Sequence, residues 1–200
     1  MVAGTQGYEK SVRPFLEATR RLSFDVVCKD FIDFLPSAPT RILDAGAGIG
    51  QNAAALAKMG HTVVAVEPLQ AFLTSAQAAY SHLPITWLQD SLPLIEKISA
   101  EENPFGFILV EAVWHHLNED ERACALSRLC RILGRNGSCA ISLRNGPPGL
   151  GTHVFPTDAT ATVQQAQRLG LNCVLCRENL PSILPNKETV TWSRLVLQKR

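Results

Sequence analysis

Ile42-Leu43-Asp44-Ala45-Gly46-Ala47-Gly48-Ile49-Gly50 is the stretch whose reading decides the fold. An apolar strand runs into three alternating glycines, and the Ala-rich segment Gln51 to Met59 then reads as a helix closing on Gly60, suited to the left-handed position past a helix end. Missing side chains let a ligand lie against the backbone, and the helix start offers unpaired N–H groups. The dinucleotide fingerprint G-x-G-x-x-G fails here, because the sixth position counted from Gly46 is Gln51. Asp44 adds a carboxylate at the mouth of the loop, which repels a pyrophosphate and attracts a cation. An amino acid bearing a sulfonium suits that better.

Outward from this loop, short apolar runs alternate with helical patterns, the signature of βαβ units on a parallel sheet. Strands are expected at Arg41-Asp44, His61-Glu67, Ile85-Gln89, Phe105-Val110 and Ser138-Leu143. The run Phe107-Ile108-Leu109-Val110 lacks alternation, as expected where helices cover both faces. Leu69 to Tyr80 is a second helix, and the third starts at Asn118 with Glu121 in capping-box spacing and stops at Gly134. Leu171-Arg177 and Thr189-Leu197 read as two antiparallel strands, since the link between them is too short for a crossover helix. Tyr8 to Leu35 fits one or two helices, giving a single domain with a helical cap at 1–38 on a core at 39–200. The Gly/Pro-rich segment Asn145 to Thr157 reads as a loop.

The 200 residues are 46 % hydrophobic, enough to bury a core, with 19 Lys+Arg against 18 Asp+Glu and a net charge of +1. The longest basic run is a pair such as Arg20-Arg21, which disfavours an obligate nucleic-acid binder. Apolar stretches fall far short of the ~20 residues that span a bilayer, and Met1 to Lys10 lacks a secretory core, so a soluble, cytoplasmic protein is expected. The six cysteines are expected to be reduced. Cys173-x-x-Cys176 lacks the further ligands of a zinc site, and on a regular strand the two would face opposite sides, so no metal is expected.

Two more acids follow strand ends. Glu67 closes the second strand, twenty-three residues after Asp44, and can accept both hydroxyls of a ribose. Asp90 follows the third strand in Gln89-Asp90-Ser91-Leu92, where a carboxylate can meet an exocyclic amine and Leu92 can pack a purine face. All three belong to the carboxyl edge, where open α/β sheets bind ligands. Asp44-Ala-Gly-Ala-Gly-Ile-Gly50, Glu67, Asp90-Ser91 and Phe107-Ile-Leu-Val-Glu-Ala-Val-Trp-His-His-Leu117 together resemble the class I S-adenosylmethionine-dependent methyltransferases, in the small-molecule branch. That resemblance implies a Rossmann-like doubly wound α/β sheet of seven strands, order 3-2-1-4-5-7-6 with the last strand antiparallel. It also implies S-adenosylmethionine as cofactor and S-adenosylhomocysteine as product, held by Asp44, Gly46, Gly48, Gly50, Glu67, Asp90, Ser91, Leu92 and Glu111.

Methyl transfer is an in-line displacement, and a base is needed only for a protonated nucleophile. His115 is the first choice of base, since a neutral imidazole takes up a proton at cellular pH. Two adjacent histidines that start a helix are not expected both to face a pocket. Trp114, His116 and Arg144 are candidate acceptor contacts, Arg144 for an anionic or carbonyl-bearing group, although Trp114 equally suits a core anchor. Tyr8 and Arg13 of the cap are candidates to close over the ligands. Base amino-methylation calls for an Asp/Asn/Ser-Pro-Pro-aromatic motif where Glu111-Ala112-Val113-Trp114 stands, and cytosine-C5 methylation for a Pro-Cys that is absent there. The expected acceptor is therefore a small molecule. The rivals are an inactive cofactor-binding module of the same fold and, further off, a nicotinamide oxidoreductase.

Overall fold

A computed structural model describes residues 3–8, 12–19, 22–99 and 103–200. Parts of the expected cap, residues 9–11 and 20–21 and the side chain of Arg13, lie outside the described residues. The strands are β1 (Arg41–Ala45), β2 (Thr62–Val66), β3 (Ile85–Leu88), β4 (Phe105–Val110), β5 (Leu133–Asn145), β6 (Leu171–Pro181) and β7 (Thr191–Lys199). They form one seven-stranded sheet in the order β3-β2-β1-β4-β5-β7-β6. β1 to β5 pair in parallel, and β7 runs antiparallel between β5 and β6. The expected order and the reversed last strand are both present.

The helices are α1 (Val12–Thr19), α2 (Phe24–Val27), α3 (Gln51–Lys58), α4 (Gln70–Ala79), α5 (Glu119–Ile132) and α6 (Ala159–Arg168). Alternate residues of the central strands feed two cores. Ile42, Val63, Phe107 and Leu109 pack with Ala53 and Leu56 of α3 and with Phe24 and Phe31 of the N-terminal segment. Leu43, Val64, Ile108 and Val110 pack on the other face with Leu126 and Leu129 of α5 and Ala166 of α6. This two-sided burial is why the strands read as unbroken apolar runs. No described helix is long and apolar enough to cross a membrane.

Three local features depart from the pattern. α5 ends at Ile132, before Gly134, because Leu133 already turns extended and pairs with Phe105, so β5 begins five residues earlier than expected. α6 buries only small residues, Ala159, Thr162 and Ala166, and so carries no stripe that announces it. A bulge in β6 between Cys173 and Leu175 places Cys173 opposite Leu197 and Cys176 opposite Leu195, and this extra residue puts both cysteines on one face rather than two. Cys176 is exposed rather than buried, and both thiols are free.

The capping box at the start of α5 is complete. The Asn118 side chain accepts from the Glu121 N–H at 2.9 Å, and Glu121 accepts from the Asn118 N–H at 2.7 Å. Asn118→Ala is expected to lower the unfolding free energy by about 1 kcal/mol, read from the midpoint of urea denaturation, while Asn118→Asp keeps most of it. Equal midpoints for the alanine variant and the parent would remove the cap from the account of α5.

Candidate active site

β1 ends in a bend whose glycines adopt φ of +85° at Gly46, +55° at Gly48 and +83° at Gly50. A Cβ at Gly46 would lie 2.3 Å from Val113, and one at Gly50 would lie 2.5 Å from Trp87, so both positions exclude any side chain twice over. Gly48 meets only the Phe15 ring, at 3.6 Å, and the bend stays open to two cavities.

Asp44 lies beneath this bend, 1 % exposed, and receives the N–H of Ala53 from the first turn of α3. Its second oxygen, Oδ2, is buried without a hydrogen-bond partner among the described residues, and neither Asp44 nor Gly50 lines either of these cavities. Glu67, 5 % exposed, accepts the N–H of Gly48 at 2.9 Å and of Leu69 at 2.8 Å, which ties the loop after β2 to the glycine bend. Burial raises the carboxyl pKa of each to about 7, against the lowering effect of these N–H donors. Glu111, at the end of β4, forms a two-pronged ion pair with Arg194 of β7 at 2.9 and 2.7 Å. Just beyond it Ala112 takes φ +58°, a left-handed conformation held by its N–H to Ser142 Oγ at 2.7 Å.

Two cavities share Tyr8, Phe15, Gly46, Gly48, Glu111, Ala112 and His116. The smaller, about 150 Å³, adds Glu67, Pro68, Leu69, Phe72, Ser91 and Leu92. The larger, about 440 Å³, is lined by the N-terminal segment, His115, Arg144, Trp192, Arg194 and the loop between β6 and β7. Over the bend Phe15 and Phe72 stack at 4.8 Å, and Tyr8 meets Phe15 edge-on at 5.7 Å.

Several expected roles need revision. Asp90 lines neither cavity; its oxygens accept the N–H groups of Ser91 at 2.7 Å and Lys97 at 2.8 Å and hold the turn after β3. Trp114 is fully buried in the α5-side core and lines neither cavity, so it is the anchor and not a wall. Its segment, Trp114–His116, is a single 3-10 turn, which sends Trp114 inward and leaves both histidines along the larger cavity, their rings 4.1 Å apart. Both do face a pocket, contrary to expectation. The two nitrogens of His116 are taken: Nδ1 donates to the His153 carbonyl at 2.7 Å, and Nε2 accepts from the Tyr8 hydroxyl at 3.1 Å. It therefore holds Tyr8 rather than offering a free nitrogen to an acceptor. His115 Nδ1 is buried without a partner. Burial, with His116, Arg144 and Arg122 adding to it, holds the His115 pKa down to about 2. The ring is neutral throughout the cellular range and keeps an added proton poorly.

A family model described as "Methyltransferase domain" matches residues 42–137, the stretch from the glycine bend through α5. The matched stretch is similar to that family and makes up a little under half of the chain. An uncharacterized methyltransferase of Mycobacterium tuberculosis is 35 % identical over 103 residues, 52 % of this chain and 40 % of that one. A second from the same organism is matched over 57 % of its length, so the chain spans about half the length of the curated relatives it matches, or less. The fold is shared with a TehB-like SAM-dependent methyltransferase from Corynebacterium glutamicum, with TM-score 0.69, 24 % identity and 99 % of each chain covered. It is shared too with the 1,6-didemethyltoxoflavin-N1-methyltransferase of Burkholderia thailandensis, solved with 1,6-didemethyltoxoflavin and S-adenosylhomocysteine, with TM-score 0.68 and 17 % identity over 96 % of this chain and 84 % of that one.

The part of the site that follows residue 137 is the part sequence reasoning missed. Trp192 and Arg194 sit on the α3-side face of β7, paired across the ladder with Arg144 and Ser142 of β5. An arginine within the buried run Ser193 to Leu197 was the available signal, since a charge there requires a partner. Phe15, Phe72 and the loop between β6 and β7 carried none.

The raised carboxyls of Asp44 and Glu67 set a pH dependence. Asp44 and Glu67 hold protons in the folded chain up to about pH 7, whereas the unfolded chain releases them near ~4. Their contribution to stability is complete below ~4 and is lost as pH rises through about 7. The unfolding free energy of the ligand-free protein should fall between pH 5 and pH 8, and Asp44→Asn and Glu67→Gln should each flatten that decline. An unchanged slope in both variants would show that these carboxyls ionise normally.

Proposed function

We propose that this chain transfers a methyl group from S-adenosylmethionine to a small organic acceptor, as one domain in which residues 1–38 cap a core of 39–200. The observation that carries this reading is the meeting of two cavities at Gly46 and Gly48, with Glu67 on the smaller one and, behind the bend and lining neither, an Asp44 oxygen without a partner among the described residues. A cationic amino acid suits the bend, because its ammonium would answer the carboxylate behind it and its chain would pass over Gly48, whose missing side chain leaves room. Bound there, the cofactor supplies an electrophilic methyl carbon on a sulfonium.

The residues present then divide the work. Glu67, on the smaller cavity, would hold the ribose hydroxyls on the lone pairs left free by its two backbone donors, and Leu92, Phe72 and Ser91, which line the same cavity, would hold the base. Gly48 keeps the bend open for the methionine part, Gly46 and Gly50 let Val113 and Trp87 pack against the bend and hold its shape, and Glu111, its charge answered by Arg194, walls the junction of the cavities. His115 orients the acceptor by accepting a hydrogen bond from its nucleophilic atom, and a proton released on transfer passes on to water, since the ring itself does not keep it. Tyr8, Phe15 and Phe72 close the top and exclude water from the sulfonium. The domain's acceptor side is built from the N-terminal segment, the 145–157 loop and the β6–β7 loop.

S-adenosylhomocysteine at ~100 times its dissociation constant should stabilise the fold by about 2.7 kcal/mol. Asp44→Ala and Glu67→Ala should each weaken its binding by about ten- to a hundredfold, the worth of a charge-assisted hydrogen bond. Asp90→Ala should leave that affinity nearly unchanged while lowering stability. Calorimetric titration checks all three, and an absent response to millimolar S-adenosylhomocysteine would sink the cofactor assignment. Transfer of label from the cofactor to a component of a metabolite mixture separates the enzyme from a module that only binds.

A further inference from the structure

The larger cavity holds a positive charge that the described residues leave unanswered. Of the cations along it, Arg194 is committed to Glu111 and Arg177 to Asp30 at 2.6 Å, and Lys29 stands exposed at the mouth. Arg144 differs from all of these. It is 8 % exposed, and its Nη1 and Nη2 donate only to the carbonyl oxygens of Gly146 at 3.4 Å and Pro147 at 2.6 Å. Among the described residues no carboxylate pairs with it. Two carbonyl dipoles fix the orientation of the fork without neutralising it, and an unpaired buried ion costs several kcal/mol. A guanidinium held rigid, desolvated and uncompensated on a cavity wall is a receptor for an anion, above all a carboxylate.

The rest of the wall describes the body that carries this anion. Trp192 is the direct cross-strand partner of Arg144. Leu180 pairs with Trp192 from the other side, and at the mouth Val26 and Ile183 expose apolar side chains, 47 % and 43 % accessible. Water-facing valine and isoleucine on the rim of a cavity are explained by an apolar ligand that covers them.

We propose that the methyl acceptor is an organic anion with an apolar body, its carboxylate or equivalent oxygens paired with Arg144 and its body lying against Trp192 and the Val26–Ile183 mouth. This rests on the reading that the smaller cavity takes the adenosyl part of the cofactor. The other source of a carboxylate is the cofactor's own amino-acid end. The position of Arg144 favours the acceptor, because it lines the larger cavity alone and stands beside the β6–β7 wall, away from Glu67 and Leu92. An anion here also relieves the pressure that Arg144 places on the neighbouring His115 ring, so binding the acceptor makes His115 a better hydrogen-bond acceptor.

The test is calorimetric titration of the full chain with S-adenosylhomocysteine, followed, at saturation, by 4-hydroxybenzoate and indole-3-acetate and by the carboxamide of each. The wild type should bind at least one carboxylate about tenfold or more tightly than its amide. Arg144→Gln should erase that preference and leave S-adenosylhomocysteine affinity within about twofold, while Arg144→Lys, keeping charge without the fork, should retain part of the preference. Equal binding of acid and amide, or no millimolar binding of either carboxylate, overturns the proposal without recourse to any variant. A loss of S-adenosylhomocysteine affinity beyond about tenfold in Arg144→Gln overturns it as well, assigning Arg144 to the cofactor's carboxylate. Failure of the wild type to bind S-adenosylhomocysteine instead overturns the underlying cofactor reading, so the two failures are distinguishable.

Discussion

The bend after β1 exists because three glycines take backbone conformations that side chains resist, and everything functional is arranged around the space this leaves. Val113 and Trp87 press against Gly46 and Gly50 so closely that no Cβ fits, which fixes the end of β4 and the middle of β3 relative to the bend. Glu67 binds the same bend from the third direction through the Gly48 N–H. The C-terminal ends of four neighbouring strands are thereby locked around one opening, and Asp44 is left behind the bend with an oxygen that no described residue satisfies.

That unsatisfied oxygen belongs to a wider imbalance. Asp44, Glu67, Glu111, Arg144 and Arg194 are all largely withdrawn from water at the same sheet edge, and only Glu111 and Arg194 pair with one another. Keeping the others buried is unfavourable in the empty protein, which is why burial shifts the Asp44 and Glu67 carboxyls toward their neutral forms. The proposed ligands would offset that cost, the cation near Asp44 and the anion near Arg144. Glu67 faces the smaller cavity and Arg144 the larger one, with the Glu111–Arg194 pair between them.

The fold was largely legible because its determinants are local or strictly periodic. The glycine bend, the unbroken apolar run of β4 and the capping box at Asn118 each act within a few residues, and the short C-terminal link left a hairpin as its simplest solution. α6 and the early start of β5 were less visible: one buries only alanine and threonine, and the other depends on Leu133 finding Phe105 across the sheet. The bulge at Val174, which reverses the facing of Cys176, adds one residue to a ladder and leaves no mark on composition. In the site, Asp44, Glu67 and the glycines were legible because each stands at a strand end. Asp90 stands at one too, but its carboxylate turns back to hold its own loop.

By itself the sequence determined the order of strands and helices, the side-chain-free bend, and the acids delivered to the edge, because spacing along the chain is enough to place a residue at the end of a strand. Only the tertiary structure decided which charges there are answered. Arg194 lies eighty-three positions from Glu111 and yet neutralises it, Tyr8 reaches His116 across a hundred and eight, and Arg144 is left without a carboxylate among the described residues. Pairing of this kind depends on through-space distance and on exclusion of water, and neither is encoded in local pattern.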